Sequence, residues 1–102
     1  MRLMIFFDLP TITHSDGQNY RSFHKYLIKT GFIMTQYSVY SKLVLNASAA
    51  HAVKVSLRKH LPPKGNIQCL QVTEKQFADI EYMVGKSQTK IIDSIDRWLE
   101  IE

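Results

Sequence analysis

Residues 32–45 read Phe32-Ile33-Met34-Thr35-Gln36-Tyr37-Ser38-Val39-Tyr40-Ser41-Lys42-Leu43-Val44-Leu45. β-Branched and aromatic residues dominate the run, which makes it a strand former. It exceeds the usual strand length, so it is one bent strand or two joined by a tight break near Gln36–Ser38. Upstream, Tyr20, Phe23, His24, Leu27 and Ile28 repeat at helical spacing and predict a helix over Gly17 to Thr30. Ser15 and Asp16 are its candidate N-caps, with Gln18 placed for a capping box after Ser15, and Gly31 is its stop. Downstream, Asn46 caps a second helix over Ala47 to His60, whose inward stripe is Ala49, Ala50, Val53 and Leu57.

Strands bracket these helices. Arg2 to Asp8 is apolar on both faces: Leu3, Ile5 and Phe7 share one, Met4, Phe6 and Asp8 the other. That marks a central strand, closed by Pro10. Ile67 to Val72 is a further strand, and Thr73-Glu74-Lys75-Gln76 has capping-box spacing for a helical turn through Asp79. Ile80 to Val84 is predicted as a short strand and Gly85 to Gln88 as a loop. The end is ambiguous: Ile91, Ile92, Ile95 and Leu99 suit a helix, whereas Arg97-Trp98-Leu99-Glu100-Ile101-Glu102 suits an edge strand that could add to a partner's sheet. The order strand, helix, strand or strands, helix, strand is the α+β, ferredoxin-like split βαβ arrangement, spanning residues 1–102 as one domain. Two helices cover one face of the antiparallel sheet. The other face, carrying Met4 and Phe6, is left apolar, which predicts a homodimer through it.

Bulk properties narrow the function classes. No apolar run reaches the length of a membrane span, and the first residues lack a secretory-signal pattern. One cysteine, Cys69, excludes an internal disulfide and a multi-cysteine zinc site, so a reducing cytoplasm is the expected compartment. The formal charge of +4 is unevenly spread. Residues 1–73 hold nine Lys and Arg against two acids; residues 74–102 hold four against seven. A basic body suits a polyanion and an acidic tail suits a protein partner. Without a base-reading motif, the basic residues imply phosphate contacts, independent of sequence and sensitive to salt. Of Arg2, Arg21, Lys25, Lys29, Lys42, Lys54, Arg58, Lys59 and Lys64, the expected contacts are Arg21, Lys25, Arg58 and Lys59.

Asp8 is the candidate for chemistry. An acid on so apolar a strand is expected to be costly to desolvate unless it has a partner. The competing reading is a turn residue before Leu9-Pro10. Mg2+ takes one or two protein carboxylates and keeps waters, so one Asp8 is thin and a two-fold axis supplying a second copy completes a pair. Gln36 and Ser38 are placed to orient water or phosphate around it. His14 reads as an exposed loop residue rather than a general base, His24 as a packed core histidine, and His51 and His60 as polar helix-face residues. Tyr37, Tyr40 and Tyr82 read as sheet packing rather than stacking platforms.

Three pieces carry a family resemblance: Phe6-Phe7-Asp8-Leu9-Pro10, Arg21, and the run from Gly31-Phe32 to Gln36-Tyr37-Ser38-Val39-Tyr40-Ser41-Lys42. Together they resemble the CRISPR-associated protein two family, the small partner of the integrase in spacer acquisition. Pro63-Lys64-Gly65-Asn66-Ile67 and Val72-Thr73-Glu74-Lys75-Gln76-Phe77 are similar to its branch beside type II effector systems. The resemblance implies a ferredoxin-like homodimer seated between integrase dimers and holding double-stranded DNA. It also implies Mg2+ at Asp8 for phosphodiester hydrolysis of single-stranded RNA or double-stranded DNA. Phe7 stands where a tyrosine often precedes this acid, so no hydroxyl lies there. The alternatives are a stand-alone, toxin-like ribonuclease and a ferredoxin-like small-ligand regulatory module; for the latter there is no Gly-rich phosphate loop.

Overall fold

The computed structural model describes residues 1–85. The predicted loop over 85–88 beyond Gly85, the helix suggested by Ile91, Ile92, Ile95 and Leu99, and the terminal strand over 97–102 lie outside the described residues. The elements follow as β1 (Arg2–Asp8), α1 (His14–Lys29), β2 (Ile33–Gln36), β3 (Val39–Leu43), α2 (Ala47–Arg58), β4 (Asn66–Val72) and α3 (Glu74–Ala78). The sheet order is β2-β3-β1-β4, every neighbour antiparallel, which is the ferredoxin-like α+β fold. None of the described helices is long and apolar enough to cross a membrane.

The core forms where the alternation of β1 meets the helical stripes. Leu3, Ile5 and Phe7 pack with Phe23 and Leu27 of α1, Ala50 and Leu57 of α2, and Tyr40 of β3. Phe7 sits edge-on to Phe23 at 5.3 Å and stacks on Tyr40 at 5.4 Å, so aromatic geometry adds to plain burial there. His24 is the packed histidine expected: its Nδ1 is hydrogen-bonded to the Tyr40 hydroxyl beneath α1. Ile28, assigned to the same stripe, is exposed.

Three expectations change. Helix α1 begins at His14 rather than Gly17, and its N-cap is Thr13, not Ser15 or Asp16. Thr13 Oγ1 accepts from the Asp16 N–H at 3.0 Å, and the Thr13 N–H donates to the Asp16 carboxylate at 3.1 Å. This reciprocal box satisfies two donors that Ser15 with Gln18 leaves open. That N–H also holds the Asp16 carboxyl below its ordinary 3.8. Helix α2 stops at Arg58 rather than His60. Leu61 precedes Pro62, and a residue before proline is driven out of the helical region, so the chain must unwind first.

Residues 80–84 form no strand. They follow α3 across the second sheet face, where Ile80 and Tyr82 help line a hollow of about 450 Å³ with Met4, Phe6, Leu70 and Phe77. Alternating apolar residues can pair only where a sheet edge is offered, and the segment lies over a face instead. Arg2 pins α3 there. Its Nε donates to both Glu74 carboxylate oxygens at 3.1 and 3.0 Å, and its guanidinium lies 4.2 Å from the Phe77 ring centre. The second face is therefore apolar, as expected, but bordered on one side by α3 rather than bare.

The run at 32–45 resolves into two strands. Their register shifts between Met34 and Gln36, and Ser38 takes φ of 65°, left-handed for a non-glycine residue.

Candidate nucleic-acid and metal site at one end of the sheet

Chain direction gathers the functional candidates. Strand β1 ends at Asp8, which pairs with Asn66 at the start of β4. The β2–β3 turn arrives beside it, and the Ser38 carbonyl accepts the Phe7 N–H at 3.1 Å. Helix α1 starts from this end after its Thr13 cap, and α2 finishes toward it at Arg58 and Lys59. One end of the sheet thus carries Asp8, Ser38, Lys64, Asn66, the first turns of α1 and the last turn of α2.

Asp8 is exposed, contrary to the expected desolvation cost. The strand stops at this residue, so its carboxylate keeps its water and needs no protein partner. Among the described residues no side chain hydrogen-bonds or ion-pairs with it. Nor do three His, Cys, Asp or Glu side chains converge on a shared metal position among those residues. Asp16, the only other acid of the first half, is committed to its capping box. One exposed carboxylate, without a side-chain partner among the described residues, fits Mg2+ as half a site, because this ion binds through one or two carboxylates and retains waters for substrate to replace.

The predicted helpers of Asp8 separate. Ser38 touches β1 through its backbone carbonyl, one residue before Asp8. Gln36 instead lines the hollow on the second face, beside Phe6 and Thr35. Neither side chain hydrogen-bonds the Asp8 carboxylate among the described residues. His14 opens α1 and is exposed, as read.

The basic residues divide as well. Arg21 is exposed on α1, and its Nη1 lies 3.3 Å from where a Cβ on Gly17 would stand, so the guanidinium folds back toward the Asp8 end. Lys25 is exposed one turn farther away. Arg58 and Lys59 are exposed at the end of α2. Lys64 precedes Asn66 and is near enough to help lower the Asp16 pKa. It belongs to the basic set read from the sequence, although it was not among the four contacts expected there. Lys54 and Arg58 border a shallow pocket with Cys69 on β4. Burial pushes the Cys69 thiol up while these two cations pull it back.

Tyr37 does not pack in the sheet as its place in the strand-forming run predicts. It is 72% exposed on the β2–β3 turn, and its ring stacks on Tyr20 of α1 at 5.9 Å and 23°. Burial, with the Tyr37 phenol alongside, pushes the Tyr20 hydroxyl up to about 12. Tyr40 is buried as expected.

A family description reading CRISPR associated protein Cas2 matches residues 1–80, all of the sheet and its helices. The chain belongs to the CRISPR associated protein Cas2 family. Relatives named CRISPR-associated endoribonuclease Cas2 agree along nearly its whole length. That of Treponema denticola is 50% identical over 97 residues, 95% of this chain and 96% of the relative. That of Streptococcus mutans serotype c strain UA159 is also 50% identical over 97 residues, covering 95% and 89%. The crystal structure of Streptococcus pyogenes Cas2 at pH 6.5 superposes with a TM-score of 0.63 at 18% identity, over 82% of this chain and all of that one. That likeness supports the ferredoxin-like fold of this Cas2 family member.

Proposed function

We propose that this Cas2 family member is a dimeric, cytoplasmic adaptor that holds double-stranded DNA for the CRISPR integrase during spacer acquisition. We further propose that paired Asp8 carboxylates give it Mg2+-dependent endonuclease activity on single-stranded RNA or double-stranded DNA. The observation that carries both is the coincidence of a free carboxylate with Arg21, Arg58, Lys59 and Lys64 at one end of the sheet. A bound Mg2+ would polarise water and offset charge on a phosphate. The chain's own task is to present one carboxylate per copy and to hold the phosphodiester beside it with cations.

Dimerisation is argued from the second face. Leu70 of β4 is 51% exposed beside Met4 and Phe6, and burying that surface is the drive to pair. Leu70→Asp is expected to weaken the dimer by on the order of a hundredfold or more, because an unpaired charge would enter a dry interface. Light scattering across a concentration series measures this. An unchanged dimer places the interface elsewhere.

DNA holding is argued from charge. Duplex affinity should fall steeply with salt, and Arg58→Ala with Lys59→Ala should reduce the logarithmic slope by about one for each phosphate contact removed. Fluorescence anisotropy over a salt titration decides it; an unchanged slope would remove these two residues from the interface.

The relatives' name, endoribonuclease, favours ribonuclease activity, and the second reading is a ribonuclease that works without the integrase. Co-purification with the cognate integrase, and integration that depends on this chain, support the adaptor. Failure of both leaves the stand-alone ribonuclease.

A further inference from the structure

Tyr37 is 72% exposed on the β2–β3 turn, beside the end of β1 that carries Asp8. Tyr37 is held in that position by three features. Its ring lies against Tyr20, which itself packs edge-on to Phe7 at 5.9 Å. Ser38 takes the left-handed conformation that turns the chain here. The Ser38 carbonyl then ties the turn to Phe7, the residue before Asp8. The result is an aromatic ring set against Tyr20, largely open to solvent, and one hydrogen-bonded turn from the exposed Asp8 carboxylate. Holding a non-glycine residue at positive φ costs energy, and such cost concentrates where a turn has work to do.

We propose that Tyr37 is a stacking platform for an unpaired nucleobase, and that it gives the Asp8 end a preference for single strands over duplex. This rests on the reading that nucleic acid binds at that end, and adds the residue that separates single strand from duplex there. Every base offers a π-face, so a single aromatic ring tolerates any sequence. In a duplex the bases are stacked on each other and unavailable, so duplex binding relies on the cations alone. Because the ring already stacks against Tyr20, the platform is set before the base arrives and less side-chain freedom is lost on binding.

The test uses an oligoribonucleotide carrying one 2-aminopurine, its DNA counterpart, and the duplex of the same sequence, with full-length protein in Mg2+-free buffer. Wild type should quench the fluorophore in either single strand. Tyr37→Ala should lose that quenching and bind single strands roughly tenfold more weakly, with duplex binding unchanged. Tyr37→Phe and Tyr37→Trp should behave as wild type, since the ring and not the hydroxyl is used. Tyr37→Leu, which still covers Tyr20 but lacks a π-face, should behave as Tyr37→Ala. Equal losses on duplex and single strand would overturn the proposal. So would unchanged binding by Tyr37→Ala, a Tyr37→Phe variant as weak as Tyr37→Ala, or a Tyr37→Ala variant that has lost its dimer. Duplex binding by wild type without any quenching of single strands removes the platform alone. Binding to none of the three probes removes the nucleic-acid reading with it.

Discussion

Asp8→Ala is expected to lower Mg2+-dependent cleavage by on the order of a hundredfold or more while leaving fold, dimer and duplex binding in place. The first half follows from what the carboxylate would supply. Metal-assisted hydrolysis derives several kcal/mol of barrier reduction from the ion, and about 2.7 kcal/mol is already a factor of a hundred. The second half follows from exposure. The Asp8 carboxylate is exposed and has no hydrogen-bonding side chain among the described residues, so its removal strands no partner there. Surface changes of this kind stay within about 0.5 kcal/mol of wild type in stability. Asp8→Asn sharpens the test by keeping the shape and an oxygen while removing the charge; it should lose cleavage nearly as completely. Spacer integration with the cognate integrase, run on the same preparations, should survive, because the cations that hold DNA are untouched. Integration lost alongside cleavage, with dimer and duplex binding intact, would instead make metal chemistry at Asp8 the centre of the function.

How far the residues announced this arrangement depends on the range of the interaction involved. Local signals read true. Asn46 caps α2 through its side chain, Thr73 and Gln76 form the box that starts α3, and the alternation along β1 sorts Leu3, Ile5 and Phe7 from Met4 and Phe6. The start of α1 was missed because its box closes with Asp16 three residues after Thr13, where the usual partner is Glu or Gln. The strand predicted over 80–84 failed because alternation marks what can pair, not where the chain runs: after α3 it lies over the second face rather than beside the outer strands β2 or β4. Tyr37 is the instructive miss. Within a β-rich run its ring should alternate into a face, but the register shift at 34/36 and the left-handed Ser38 turn it out against Tyr20. Asp8, Lys64 and Arg58 are brought to one end by chain direction, and the order of elements already contained that; the exposure of Asp8 it did not contain.

Gly65→Ala should be the most damaging single-methyl change near the site, although no functional group is lost. Gly65 has φ of +96°, and a Cβ there would stand 2.7 Å from the Asp8 carbonyl oxygen, 2.6 Å from Leu9 Cδ2 and 3.2 Å from Leu9 Cα. The left-handed backbone alone costs about 1–2 kcal/mol for an alanine. The leucine methyl can rotate away, but the carbonyl and Cα belong to the backbone that closes β1, so relief requires moving Asp8 itself. Gly85 provides the internal control. It has φ of +87° but, among the described residues, nothing within 4 Å of its would-be Cβ, so Gly85→Ala carries the conformational cost without that collision. Thermal unfolding should place Gly85→Ala a few degrees below wild type and Gly65→Ala lower still, by on the order of 10 °C, since about 1 kcal/mol moves a domain of this size by several degrees. Cleavage should fall in Gly65→Ala and not in Gly85→Ala, because the pairing of Asp8 with Asn66 is what the added methyl pushes apart. If the two variants melt together, the close approach of the Lys64–Asn66 turn to Asp8 is not what fixes this end of the sheet, and the carboxylate is positioned by β1 alone.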